Sequence, residues 1–481
     1  MSEQSQGSAV PNISFDLTGL SPASAVYVPE HVARHLTAVP LFVSDGVLQV
    51  AAVRPDDRAL LDDLRVVSGL RVAVRRASPE QIAVALDTVY PPRKAVVQTA
   101  SFGESDAVSA LGECLAAAIA AGASDIHVEP LRSSQTVRFR IDGILYRANG
   151  CEKIFSVPHE ETVARLKVLC GLDTVERRRP QDGRAEYRDG DGRYDLRVSV
   201  VPSVFGESAV IRILPGTSVR PLGDLGFYPA HSALIESLLT VPHGIVFVSG
   251  PTGSGKTTTM YACLQVLDRE TRKVITLEDP VEYELAGVTQ IPVQAQLGFT
   301  FASALRSVLR HDPDVLMVGE IRDSETAELA LRSAMTGHLL LTTVHANDAA
   351  SIPLRLLDLG AEPFLVAASA RAFIAQRLIR VLCPHCRVPR RTPVPAAFEG
   401  HAPWESVGCP RCGGSGYRGR TVIYEIILND DKVSAIVRGG ADAGVLAAAS
   451  RENGSVLFAD VARQKVADGV TTPEEIMRVM R

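Results

Sequence analysis

The chain is poor in lysine and aromatic residues and has no long apolar run. Seven of its 481 residues are lysine, aromatic residues make up 5% with a single tryptophan, and the formal net charge is −5. A protein built to track nucleic-acid strands needs a basic groove with aromatic platforms for the bases. The molecule as a whole lacks that excess, although a local basic patch stays open. No stretch approaches the roughly 18 consecutive apolar residues of a membrane span. The best run, Cys114 to Ala123, is too short and is bounded by Glu113 and Asp125. The start, MSEQSQGSAVPNISFDL, has neither the basic n-region nor the apolar h-region of a secretory signal. These absences predict a cytoplasmic protein that reaches a membrane only peripherally, through partners.

What is present is ordinary globular material, 46% hydrophobic and 22% charged, enough for more than one core. At roughly 150 residues per domain, the length suggests about three domains. Residues 1–24 read as a flexible tail. Residues 25–92 read as a small α+β domain: a helix after Pro29, strands at Leu41–Val43 and Val47–Val53, a helix with apolar Leu60, Leu61, Leu64 and Val67, a strand at Val72–Val74, and a helix opened by Ser78-Pro79. Residues 93–105 read as a linker. In 106–214 an Ala-rich helix precedes strands at Asp125–Val128, Thr136–Ile141, Tyr194–Val200 and Ser208–Leu214. Several of these alternate apolar residues with arginine, so one sheet face is expected to be basic. A hinge at 215–221 leads into 222–481, where strands and helices alternate as in an α/β domain.

Ile245-Val-Phe-Val-Ser249 has the pattern of a buried strand. It is followed by Gly250, Pro251, Thr252, Gly253, Ser254, Gly255, Lys256 and Thr257, with Thr258 continuing into a helix. This is a complete GxxxxGK[ST] phosphate-binding loop between a strand and a helix. Glycines let backbone N–H groups curl around phosphate oxygens, and the helix N-terminus adds its positive dipole end. Lys256 suits the β- and γ-phosphates, and Thr257 suits Mg²⁺. With only seven lysines in the chain, one at this position carries information.

ATP hydrolysis also needs carboxylates to hold the metal and orient water. Two apolar runs end in acids: Val274–Leu277 before Glu278, Asp279 and Glu282, and Val315–Val318 before Glu320 and Asp323. Each is a core strand delivering a carboxylate beside the loop. Glu278 is the better candidate for general base and Glu320 for the metal shell. A third run, Leu339–Leu341, is bracketed by His338 and His345. A strand end can place His345 where it senses the γ-phosphate, although a histidine in that position is often only structural.

Four of the eight cysteines form two CxxC pairs, Cys383/Cys386 and Cys409/Cys412, with 22 residues between the pairs. In a cytosolic chain this reads as metal binding before disulfides, with four thiolates for a closed, structural Zn²⁺ site. Reduced free thiols and a redox pair are the alternatives.

Together these segments resemble the secretion-superfamily ATPases, and within them the assembly ATPases of type II secretion systems and type IV pili. The resemblance runs from about residue 25 to the C-terminus. It rests on Ala123-Ser-Asp-Ile-His-Val-Glu-Pro130, Arg138-Phe-Arg-Ile-Asp-Gly143, Arg179-Pro-Gln-Asp-Gly-Arg184, the phosphate loop, the acidic box 275–284, the Walker B segment 312–323, the histidine box 336–348 and the cysteine pairs. It implies a RecA-like P-loop domain over 222–481 with a zinc subdomain at about 380–420, behind a PAS-like domain over 106–214 and a partner-binding domain over 25–92. It implies a homo-hexameric, protein-secreting ATPase that uses ATP, Mg²⁺ and Zn²⁺ to drive pseudopilus or pilus assembly. The implied partners are an inner-membrane platform protein and a second inner-membrane component. Glu278 would be the catalytic carboxylate, Glu320 would support Mg²⁺, and His345 would sense nucleotide state. Arg197 and Arg212 would close on the phosphates, with Arg138 and Arg140 as lesser candidates. The competing reading is a RecA-like nucleic-acid motor with a zinc ribbon; no nucleic acid is expected in the leading one.

Overall fold

Strand and helix formers in this chain are segregated by period, and the computed structural model follows that segregation. It describes residues 27–28, 30–44, 46–90, 95–97, 106–190, 192–216, 219–440 and 442–480. The expected tail 1–24 lies outside the described residues, as do most of the linker 93–105 and residues 217–218 of the hinge. The chain divides into two compact units. One takes the described residues up to Val97 together with Leu166–Val175 and Gly183–Glu186, and the other takes the remainder. The segment 106–214 read as one domain from the sequence therefore contributes to both.

In the first unit, helices Glu30–His35, Arg58–Ser68 and Pro79–Val89 accompany a three-stranded sheet of Ala38–Ser44, Val47–Ala52 and Arg71–Arg76. The Pro79–Val89 helix starts where the sequence signals it. Ser78 and Gln81 cap each other's backbone, with hydrogen bonds of 3.2 and 2.9 Å. Leu48, Leu64 and Ile82 are fully buried in the core beneath.

The second unit contains two sheets that matter for function. In the first, strands Gly192–Ser203, Gly206–Pro215, Ala123–Pro130, Gln135–Ile141 and Ile144–Arg147 pair antiparallel in that order. Register places Arg197 opposite Arg212, Arg212 opposite Asp125, and Asp125 opposite Arg140. Directly opposed residues share a face, so one row across four strands carries three arginines around a single aspartate. Gln181–Asp189 is also a strand. The sequence reading passed over it because QDGRAEYRD lacks an apolar alternation.

The second sheet has seven strands in the order Val288–Pro292, Val274–Glu278, Val315–Val318, Leu339–Val344, Gly244–Ser249, Ala370–Leu382 and Tyr417–Leu428. All pairs are parallel except the last. Helices cover a parallel sheet on both faces, so its strands read as continuous apolar runs. Ile245, Phe247, Leu316, Leu340 and Phe373 are completely buried, and the Phe247 and Phe373 rings stack at 5.7 Å. The sheet sets the geometry of the site, because the strands ending in Ser249, Glu278, Val318 and Val344 deliver their chemistry at one carboxyl edge. Among the described residues, no helix is long and apolar enough to cross a membrane.

Candidate active site

The strand Gly244–Ser249 ends in the phosphate loop, and the helix Lys256–Val266 begins directly after it. Gly250 has a φ of +147°, and a Cβ there would lie 2.3 Å from the Gln376 backbone oxygen. Gly255 caps the helix at φ +85°. Both positions exclude an ordinary side chain, by contact at the first and by conformation at the second. Lys256 Nζ donates to the carbonyl oxygens of Gly250 at 2.7 Å and Pro251 at 3.1 Å. Burial lowers the ammonium's pKa from its ordinary value, and the Glu320 carboxylate works the other way. Thr257 is exposed on the first helical turn, with Thr258 half-buried beside it.

The histidine box is tied to this loop. Ser249 Oγ donates to Ala346 O at 2.7 Å, and the Ala346 N–H donates back to Ser249 Oγ at 2.9 Å. Thr343 Oγ1 donates to Gly319 O at 2.7 Å. These bonds lock the ends of three neighbouring strands together, and they place His345 Nε2 3.7 Å from Glu320 Oε2. Glu320 also pairs with Arg322 Nη2 at 2.6 Å. His345 and Glu320 thus meet at the carboxyl edge of the sheet, and the Glu320 carboxylate acts on Lys256 through its charge. His338 is elsewhere, with its ring Nδ1 3.0 Å from Ser333 O at the end of the helix Ser324–Met335.

Glu278 has a different setting. It is 3% exposed. Its Oε1 accepts from Thr276 Oγ1 at 2.5 Å and Gln290 Nε2 at 3.1 Å, and its Oε2 accepts from the Tyr261 hydroxyl. Three neutral donors hold the buried side chain in place. The loading raises the Tyr261 phenol's pKa, first by burial and then by its bond to Glu278.

The four arginines separate cleanly. Arg197 spans to the acidic box with a bidentate pair to Glu282, at 3.2 Å from Nη1 and 2.8 Å from Nη2. The others stay within their own sheet. Arg212 Nε donates to Asp125 Oδ1 at 2.9 Å, Arg138 Nη2 donates to both Glu129 oxygens at 2.8 and 2.6 Å, and Arg140 Nε lies 3.8 Å from Asp125. The sequence signalled the arginines through alternation. The part played by Glu282 had no local signal, since its partner is 85 residues away.

The ligand atoms of Cys383, Cys386, Cys409 and Cys412 all lie within 4.8 Å of one another. Sulfur pairs stand 3.9, 3.8 and 3.7 Å apart. Four thiolates around one zinc at about 2.3 Å stand about 3.8 Å from each other, so the set fits a tetrahedral ion. The N–H groups of Cys409 and Gly416 point at Cys412 Sγ from 3.1 and 3.3 Å. Burial opposes ionisation of Cys412, but these N–H groups and the neighbouring thiols outweigh it and bring the thiol down to about 6. The protein therefore holds a four-cysteine group that can bind a metal.

Comparison with known proteins gives the family. The family model described as type II/IV secretion system protein matches residues 103–478, and that of the MshEN domain matches residues 9–96. The type II secretion system protein HxcR of Pseudomonas aeruginosa is 46% identical over 360 residues, 75% of this chain and 74% of that protein. The type IV pilus assembly ATPase PilB of Myxococcus xanthus is 37% identical over 506 aligned positions, 97% of this chain and 88% of that protein. The solved pilus retraction motor PilT with bound ADP superposes with a TM-score of 0.50 at 26% identity, covering 76% of this chain and 95% of that one. The ATPase DotB of Legionella pneumophila gives a TM-score of 0.56 at 21% identity, covering 79% and 97%, a likeness of fold alone. The nucleic-acid-motor alternative is displaced. The chain belongs to the type II/IV secretion system protein family, the ATPases of type II secretion and type IV pilus assembly.

Proposed function

We propose that this chain is the cytoplasmic motor of a pseudopilus or pilus assembly machine, and that it binds and hydrolyses ATP at the loop 250–257. The observation that carries the reading is the phosphate loop between the strand Gly244–Ser249 and the helix Lys256–Val266, with Glu320 and His345 paired at the same carboxyl edge of the parallel sheet. The loop's N–H groups and the helix N-terminus hold the phosphates, with Lys256 released from its loop carbonyls to meet their charge. Hard oxygen donors suit Mg²⁺, and the Thr257 hydroxyl and Glu320 carboxylate are the residues that would hold it. The ion would neutralise charge building up on the phosphate oxygens. Glu278 takes the proton from the attacking water. Its Oε1 accepts two hydrogen bonds and its Oε2 one, which leaves Oε2 a lone pair for that water. His345 reports the γ-phosphate to Glu320. Arg197, and to a lesser degree Arg212, supply the positive charge that closes the site. The ADP bound to the related retraction motor supports a nucleotide at this loop.

In this reading residues 25–92 recruit a partner, 106–214 form a PAS-like clamp, 215–221 act as hinge, and 222–481 form the engine. The cysteine subdomain at about 380–420 holds one structural Zn²⁺. The chain works as a homo-hexamer and acts on an inner-membrane platform protein and a second inner-membrane component. The test is turnover: purified protein should hydrolyse ATP only with Mg²⁺, and Lys256→Ala should lower the rate by on the order of a hundredfold or more. An unchanged rate in that variant rejects the site.

A further inference from the structure

The strand Ala370–Leu382 carries one buried polar residue next to the phosphate loop that none of the motifs includes. It runs parallel to the loop's own strand, with Ala375 opposite Ser249. Gln376 comes one residue later and so lies beside the loop itself. Its side chain is 1% exposed. An amide in that setting needs a reason, because desolvation costs it whatever hydrogen bonds it does not remake. Its Nε2 donates to Ser254 O at 2.8 Å, and its Oε1 has no partner among the described residues. The amide's polar contribution is therefore that single bond. Gln376 also touches both ends of the loop: its backbone oxygen crowds Gly250, and Nε2 would lie 3.3 Å from a Cβ on Gly255.

The direction of that bond matters. A trans peptide is planar, and its C=O and N–H point to opposite sides. Holding the Ser254 carbonyl toward the buried amide turns the Gly255 N–H the other way, away from Gln376. That N–H sits at the start of the helix Lys256–Val266, where unpaired N–H groups receive an anion. A flipped Ser254–Gly255 peptide would instead present a carbonyl oxygen to the phosphate. We infer that Gln376 is a positioning residue of the nucleotide site, fixing this peptide so that the Gly255 N–H faces the phosphate chain. The inference rests on the nucleotide-binding reading of the loop.

The experiment measures ADP affinity by calorimetry, and KM and kcat for ATP, in the full chain and two variants. Gln376→Met keeps the length and removes the donor, and Gln376→Glu sets a carboxylate against the carbonyl. ADP affinity should fall several-fold in the first variant and by about tenfold or more in the second. KM should rise in step while kcat at saturation stays within about twofold, the pattern of lost uniform binding. The ligand-free Gln376→Met protein should melt near the parent temperature. Parental ADP affinity in both variants overturns the inference, as does a lowered melting point in Gln376→Met with unchanged affinity. Failure of the parent protein to bind ADP removes the nucleotide-site reading, and the inference with it.

Discussion

The two halves of the proposed phosphate site are made of different materials. The loop half is backbone: glycines that admit no side chain, strand ends cross-linked by Ser249 and Thr343, and one buried glutamine beside the turn. The arginine half is side chain, a row on an antiparallel sheet whose guanidinium groups already have acidic partners. The first half can change its ligands but hardly its shape. The second can exchange a carboxylate for a phosphate at little cost, because partly exposed ion pairs are individually weak. A motor that must grip and release a nucleotide needs both, a fixed cradle and a clamp that can let go.

The carboxylates should give the deepest losses of activity. Glu320 belongs to the rigid half, beside Lys256 and His345. Glu320→Gln should lower kcat by on the order of a hundredfold or more, since it removes charge where the metal is expected to sit. Glu278→Gln should retain ATP while stalling hydrolysis, because an amide cannot take a proton from water. If single-turnover measurements show full hydrolysis in Glu278→Gln, its cage of three donors is structural and Glu320 carries both tasks.

The arginine row gives the next largest effect and sharpens the contrast within its own half. Arg197→Ala should lower kcat by roughly ten- to a hundredfold, less than the upper range for a full arginine finger. Arg212→Ala should cost clearly less, since Arg212 stays paired to Asp125 in its own sheet. Equal losses in steady-state kinetics would mean that the clamp closes on both, and that the resting contact with Glu282 does not mark out Arg197.

Much of this division was readable from residue order, and the exceptions share a cause. Runs such as Ile245–Ser249 and Val315–Val318 were visible because a strand covered on both faces is apolar throughout, so the polar residue that ends it stands out. Arg197, Arg212, Arg138 and Arg140 were visible through alternation. Gln376 and Tyr261 were not, nor was the pairing of Glu282. Their partners Ser254, Glu278 and Arg197 lie 122, 17 and 85 residues away, and no spacing rule links them. The buried Gln376 did leave one signal, a lone amide directly after the apolar run Ala372–Ala375. His338 and His345 bracket the same strand in sequence, and the fold gives His338 a helix-end contact and His345 the contact with Glu320.

The cysteine cluster should matter less to turnover than to local order. Replacing Cys409 and Cys412 with Ser should remove about one zinc per chain by metal analysis. Hydrogen exchange should then rise across 383–416, because thiolates without their ion leave the knuckles unsupported. Asp142 Oδ2 accepts from the Gly419 N–H at 2.8 Å just beyond that segment, so the loss should spread to the Asp142 turn while ADP affinity at the loop changes little. Protection that does not change after zinc is lost would show the subdomain to be held by its own packing.

The smallest expected effect tests the clamp at its resting contact. The Arg197 and Glu282 side chains are 23% and 29% exposed, so the pair is neither dry enough to be costly nor wet enough to be irrelevant. Glu282→Gln keeps the size and removes the charge, which should cost roughly 1 kcal/mol of stability or less. For a chain of this length, such a change moves the melting temperature by only a few degrees. The informative readout is kinetic. If Glu282 and the phosphate compete for the same guanidinium, freeing Arg197 should leave kcat unchanged or raise it by up to about twofold and weaken the salt dependence of turnover. A loss of kcat as deep as that of Arg197→Ala would mean instead that Glu282 aims the arginine at its target, and the acidic box would then belong with the rigid half of the site.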